Sequence, residues 1–523
     1  MTLPQGSETY SSWMPGIEMP RSQSLATDIE VDICIVGAGI SGLTAAYLLM
    51  KEGKKVCIVE HGGIASGQTA KTSAHVSNVL GHRYFELENM HGKKKTALIA
   101  ESHTAAIKKI KSIAEEENIN CDIETVSGYL FQSGNEASQS KLEYFDKELA
   151  AAHSAGLTNT HFVDQAPIRS TLTGTSLCFP DQLAFHPLKY LKGLSEVLLR
   201  EGAYIYTHTQ VVKVEDGETP QIVTQDGFTV TAQSIVVATN SPINNLVTIH
   251  TKQAPYRTYV VGLLLPKDTI QKALFWDTED PYHYVRIAQE NSRHDVLIVG
   301  GEDHKTGQNQ HPEKAFDRLV KWAQVHFPVG PDVLYRWSGQ VMETTDGIGF
   351  MGRNPGGTNV YIISGDSGNG LTNGTIGAMI ITDLIAGRQN AWADLYSPAR
   401  INLHAVGEFI KENANVALQY KDWFTGESFA ALEELSLNEG IIIADGLKKI
   451  AAYKTGYGEI KMCSAVCPHL GGIVAWNAVE KSWDCPCHGS RFTSEGKVIE
   501  GPATESLKPL DSQYEKDHLT YRE

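Results

Sequence analysis

The sequence predicts an α/β dinucleotide-binding unit followed by a small all-β module that carries a metal centre. Three observations predict it. A strand, glycine turn, helix and second strand run from Val31 to Glu60. A second strand, glycine turn and helix lie around residue 365. Two short Cys/His loops, "CPHLGG" and "CPCHGSRF", sit near the end of the chain among short alternating strands and glycine turns. A chain of 523 residues exceeds what one core usually serves, so two or three domains are expected.

In "VDICIVGAGISGLTAAYLLMKEGKKVCIVE", Val31, Ile33, Ile35 and Val36 form a short buried strand. Gly37, Gly39 and Gly42 then supply G-x-G-x-x-G. The first glycine permits the tight turn, the second lets backbone approach a pyrophosphate, and the third lets the helix pack on the strand. The helix opens at Ile40 and Ser41, so its positive end faces the phosphates. Val56, Ile58 and Val59 make the next strand, which ends at Glu60, where a carboxylate can accept bonds from ribose hydroxyls.

FAD suits this unit better than NAD. The motif opens a region of nearly 400 residues, and no second G-x-G-x-x-G follows between Glu60 and Gly365. "SIVVATNSP", with Ala238 and Thr239, reads as a strand returning to the dinucleotide fold. "NVYIISGDSGNGLTNGTIGAMIITDLIAG" offers a second helix start. Gly365, Asp366, Gly368, Gly370, Leu371 and Thr372 carry backbone N–H groups suited to the electron-rich edge of a flavin.

Near the end of the chain, Cys467-x-His469 is followed after fifteen residues by Cys485-x-x-His488. Each loop offers one thiolate and one imidazole. That suits a [2Fe–2S] cluster with both sulfurs on one iron and both nitrogens on the other, the Rieske arrangement. Zinc also accepts two Cys and two His, normally as paired C-x-x-C and H-x-x-x-H spacings. Cys485-x-Cys487 is not the C-x-x-C of a thioredoxin-like dithiol.

Composition removes other classes. Net charge is −16 and no Lys/Arg cluster resembles a nucleic-acid patch. No run of 18 apolar residues occurs, so no spanning helix is expected. The N-terminus lacks a basic start and an apolar stretch, and eight cysteines show no disulfide framework. A reducing, cytoplasmic location is expected.

Several stretches now carry a family likeness. "FHPLKYLKGLSEVLLREGAYIY", "RWSGQVMETTDGIGFMGR" and "SGQTAKTSAHVS" make residues from about Val31 to Gly387 resemble the D-amino-acid oxidase superfamily of FAD-dependent oxidoreductases. The last ninety residues resemble the Rieske family. The likeness implies a Rossmann-like FAD domain with an interleaved antiparallel-sheet substrate domain, then the small β module. It divides the chain into an N-terminal arm (1–30), a flavin region (31–395), a linker (396–427) and a Rieske module (428–523). It places Thr72, Ser73, Ala74 and His75 in the loop that crosses the flavin, where His75 resembles the histidine that tethers flavin covalently in some relatives. In the linker, Phe409, Val416, Leu418 and Trp423 suggest one packed helical face.

The likeness also implies a sheet over the flavin's open face, with Tyr256, Arg257, Tyr282, Tyr284, Arg286, His304 and Lys305 as candidates. Tyr284, Arg286, His304 and Lys305 are the catalytic candidates, Arg286 as a clamp for a carboxylate. In the high-potential Rieske subgroup a loop disulfide and a tyrosine raise the potential. Gly472 and Phe492 stand in those places here, Cys487 is left without a partner, and Ser490 keeps its hydroxyl. A potential in the lower half of the Rieske range is expected. After His488 only His518 remains, which excludes the mononuclear iron of a ring-hydroxylating oxygenase. The expected function is oxidation of a small amine or amino acid at FAD, with the cluster relaying single electrons to or from a partner protein. The alternative is an electron-transfer flavo-iron–sulfur protein with no organic substrate.

Overall fold

The structure, a computed structural model, describes residues 9–132, 139–168, 174–244, 249–309, 311–402 and 405–510. Among these, an eight-stranded sheet forms the dinucleotide-binding layer. Its centre is Ile29–Val36, parallel to Thr229–Asn240 on one side and Val56–Val59 on the other, with Val360–Ser364 beyond. These strands are apolar on both faces, as a covered parallel sheet requires. Helices Ile40–Lys51 and Gly370–Ile385 pack on one another over one face, and both N-termini point at the same cavity. Close packing explains Gly42, because a Cβ there would run into the carbonyl of Gly37.

A nine-stranded, mostly antiparallel sheet forms the second layer. Its long strands Gln253–Pro266, His294–Lys305 and Val333–Thr344 lie side by side. The described part of the N-terminal arm is pinned to this body: Trp13 is buried, and its indole N–H donates to Thr72 O at 2.7 Å.

The iron–sulfur region contains a three-stranded sheet, Glu439–Asp445, Lys448–Lys454 and Ile460–Ser464. A four-stranded sheet follows, from Ala475–Asn477 to Val498–Glu500. The linker contains the helix Val406–Gln419 and the turn Tyr420–Phe424. Val416 and Trp423 pack on the iron–sulfur core, as the sequence suggested, together with Tyr420. Leu418 and Phe409 do not, being 63% and 38% exposed. The inward face runs through Glu412, Val416, Tyr420 and Trp423, spaced four, four and three, and the polar Glu412 hides it from a hydrophobic count. Among the described residues no helix is long and apolar enough to cross a membrane.

Candidate functional site

A cavity of about 830 Å³ opens where the two helix N-termini meet the second sheet. Gly37, Gly39, Ile40, Ser41 and Glu60 line one end. The Glu60 carboxylate is held by the Ala38 N–H at 2.7 Å and the Gly62 N–H at 2.9 Å. Thr72, Ser73 and His75, then Ala238 and Thr239, line the middle, and Asp366, Gly368, Gly370 and Leu371 face them. Gly42, Ala74, Gly365 and Thr372 stand behind this lining. Thr372 instead bonds His103 at 2.8 Å. Such a long cleft, with two helix N-termini and a clamped acid, has the shape and donors for an extended dinucleotide.

His75 is a neutral imidazole at neutral pH, since burial and then the Arg286 charge push it down to about 3. Its Nε2–H donates to Val285 O at 3.1 Å, so Nδ1 accepts from the Ser73 hydroxyl at 2.9 Å. Both nitrogens are thus hydrogen-bonded within the protein.

The second sheet supplies the opposite wall through Tyr256, Thr258, Tyr282, Tyr284 and Glu343. Tyr284 lies across Gly300, where any Cβ would collide with its ring, and its hydroxyl meets Thr258 Oγ1 at 2.7 Å. Of the catalytic candidates, Tyr284 alone lines the cavity. Arg286 is buried, outside the cavity lining, and its Nη1 donates to the carbonyls of Ala74 and Phe185 at 2.6 and 3.2 Å, holding the crossing loop. A β-bulge opposite Thr258 turns His304 and Lys305 away. His304 meets Tyr259 OH at 2.9 Å, and Lys305 pairs with Glu412 of the linker at 2.7 Å.

The same bulge leaves Asp303 beside Tyr282 and Thr258. Burial pushes Asp303 and Asp366 each up to about 6. Burial, then the charges of Asp366 and Asp303, push Glu343 up to about 8. Glu408 and Glu412 enter the cavity from the linker. These carboxyls had no signature in the sequence, because they converge only through strand pairing and linker docking.

Cys467 and Cys485 begin two loops of matching form. Cys467 N–H bonds Gly472 O at 2.8 Å and Gly471 N–H returns to Cys467 O at 3.0 Å. Cys485 N–H bonds Ser490 O at 2.8 Å and Gly489 N–H returns to Cys485 O at 3.1 Å. The rings of His469 and His488 meet edge to face, centroids 5.0 Å apart. The two ligand thiols are buried in one apolar cluster with Cys487 and Phe492. Ser490 Oγ accepts from Ala503 N–H at 3.0 Å, which leaves its own hydrogen free to donate toward sulfur. A Cβ on Gly472 would lie 2.6 Å from Cys487 Sγ. Two thiols and two imidazoles on tight, water-poor loops fit a Rieske cluster.

Residues 32–384 match the FAD dependent oxidoreductase family, and residues 431–511 match the Rieske [2Fe–2S] domain. The chain belongs to the FAD-dependent oxidoreductases. It is an enzyme of this family that binds FAD in its first region and a [2Fe–2S] cluster in its second. Along 96% of its length it is 29% identical to a putative Rieske 2Fe–2S iron–sulfur protein, YhfW, of Bacillus subtilis (strain 168), covering 97% of that protein. Over 71% of its length it is 24% identical to gamma-glutamylputrescine oxidoreductase of Escherichia coli (strain K12), covering 88% of that protein. The fold of the same share of the chain matches glycine oxidase from Geobacillus kaustophilus, with a TM-score of 0.60 at 16% identity and 99% of that chain covered.

The two regions of this oxidoreductase meet at the cavity. Val498, Ile499, Glu500, Gly501, Ala503 and Thr504 of the Rieske region form part of its wall. A buried ion network joins the regions. Arg257, fully buried on the second sheet, bonds Ser338 and faces Glu480 at 3.6 Å and Glu500 at 4.0 Å. Arg491 reaches Asp484 at 2.9 Å and both glutamates at 3.3 Å, and Lys71 pairs with Glu500 at 3.3 Å. Burial opposes ionisation of Glu480 and Glu500, but Arg257, Lys71 and Arg491 hold both down to about 2.

Proposed function

We propose that this oxidoreductase oxidises a small amine or amino-acid-like substrate at FAD, and that the cluster relays single electrons to or from a partner protein in the cytoplasm. The shared cavity wall carries the reading, since Rieske residues 498–504 border the same space as the glycine turns Gly37–Gly39 and Gly368–Gly370. When bound, FAD supplies a two-electron acceptor, and the cluster divides that pair into single electrons.

The chain's own groups would bind and orient the substrate. Tyr256, Tyr282 and Tyr284 give an aromatic wall, and Glu343 and Glu408 add carboxyl groups to it, Glu412 being paired with Lys305. Among the described lining residues Lys71 and Arg83 are already engaged, with Glu500 and with Leu80 O and Tyr144. The wall therefore favours a cationic amine over a free carboxylate. Glu343, protonated near neutral pH, would ionise beside an arriving ammonium group. The relatives named for gamma-glutamylputrescine and glycine span the class proposed. FAD is read as non-covalent because of the two hydrogen bonds on His75. The proposed residues for FAD remain those of the cavity lining, and Cys467, His469, Cys485 and His488 are the proposed cluster ligands. The domain limits 31–395 and 428–523 are proposed with them.

An anaerobic screen of amines and amino acids, followed by flavin bleaching, tests the reading. An amine should bleach the flavin at a rate that saturates with concentration. Bleaching by a reduced redox protein and by no amine or amino acid would favour the alternative without an organic substrate.

A further inference from the structure

At the contact between the two regions, a direct hydrogen bond brings the peptide beside a cluster ligand to the wall of the flavin cavity. Gln340 lies on the strand Val333–Thr344, buried, and lines the cavity. Its backbone N–H donates to Gln68 Oε1 at 2.7 Å, and Gln68 lines the cavity too. Its side-chain Nε2–H donates to Gly489 O at 2.9 Å. Gly489 follows His488 directly in the chain. A single hydrogen bond therefore connects the cavity wall to the peptide next to a cluster histidine.

The fit around this bond is close. A Cβ on Gly489 would collide with Gln340 Nε2 and lie 2.5 Å from Pro255 Cβ. His250, from the flavin region, packs on both cluster histidines, with ring centroids 5.0 Å from His469 and 5.9 Å from His488. The ion network of Arg257, Arg491, Glu480, Glu500 and Lys71 holds the two regions in this register. On the far side, Gly307 sits 2.9 Å from Asp484 O by its Cβ position, and Gln308 Nε2 donates to Pro486 O at 3.4 Å. The contact is thus built into the resting fold and needs no swing of the Rieske region.

We infer that electrons pass between flavin and cluster inside one chain through the Gln340–Gly489–His488 contact, with Gln340 as the positioning residue. Per event, one electron leaves the reduced flavin and one ferric iron becomes ferrous. The proton released by the flavin goes to water in the cavity. A one-electron acceptor protein reoxidises the cluster before the second electron follows. In the opposite direction the same contact serves a one-electron donor.

The inference rests on FAD and the cluster being bound, and on no particular substrate. The test therefore starts without one. A flash-generated deazaflavin radical places one electron on the flavin of the full-length, cofactor-loaded protein. Relaxation between flavin and cluster is then read at their separate absorption bands. Gln340→Leu removes the donor at similar size, and Gln340→Asn keeps the amide but shortens its reach. Either variant that keeps both cofactors serves. Relaxation should slow by about tenfold or more, a barrier rise of about 1.4 kcal/mol. The midpoint potentials of both centres should stay unchanged, which a general loosening of the interface would not allow. A relaxation rate within about twofold of the native protein would overturn the inference, as would a rate proportional to protein concentration, since exchange between chains has that dependence. Amine turnover can fail entirely without affecting this outcome.

Discussion

Replacing Glu480 with glutamine should release the Rieske region from the flavin region. The side chain is 7% exposed and faces two fully buried guanidinium groups. Its carboxylate lies at about 2, down from 4.5, a shift that corresponds to about 3 kcal/mol of preference for the charged form in the fold. Removing one partner of a buried ion pair costs about 3–5 kcal/mol. Glutamine keeps the volume and can still accept from Ser338, so the loss isolates charge. Urea unfolding at neutral pH, followed by the visible circular dichroism of the cluster, should show the first transition destabilised by about 3 kcal/mol. The acid limb gives a second reading. A depressed carboxylate contributes its stability fully above about pH 4.5 and loses it as pH falls toward about 2. The native protein should lose docking across that window, and Glu480→Gln should show a smaller loss there, with Glu500 accounting for the remainder. A change under about 1 kcal/mol, the range of exposed pairs, would refute the reasoning.

Gly39→Val should abolish FAD binding while leaving the secondary structure intact, because the branched side chain would enter the cavity beside Thr69; full flavin content after purification would contradict the placement. Gly472→Cys should form a disulfide with Cys487, detected by mass spectrometry under oxidising conditions, and raise the cluster midpoint in an EPR titration. A disulfide without a rise would show that this loop does not set the potential. Binding of a cationic amine should tighten as pH rises toward about 8, where Glu343 ionises, and Glu343→Gln should flatten that slope in a flavin-absorbance titration. Equal slopes in both proteins would remove Glu343 from recognition.

The features legible in the sequence are those written in consecutive residues. The turn Gly37–Gly42, the acid at Glu60, the glycine-rich start of the helix Gly370–Ile385 and the two Cys/His loops each depend on local spacing, and the fold and cofactors followed from them. The substrate wall was legible only in part. Tyr282 and Tyr284 line the cavity, but a bulge opposite Thr258 sets Asp303 beside Tyr282 and His304 away from the cavity. One inserted residue reverses which side chains face inward, and no composition signal marks it. Glu343, Gln340 and Glu412 escaped for another reason. Their roles come from pairing Ala254 with Glu343 and Arg257 with Gln340, and from a linker whose inward face is partly polar.

The packing of His250 and Pro255 against the ligand loops has a consequence for how the protein is made. His250 and Pro255 cover one side of those loops, while Leu470, 38% exposed, keeps the other side at the surface. The segment 498–504 of the same region supplies one side of the flavin cavity. Docking of the Rieske region therefore couples enclosure of the flavin to the state of the ligand loops. Flavin retention by protein made under iron starvation is the measurement that reads this coupling.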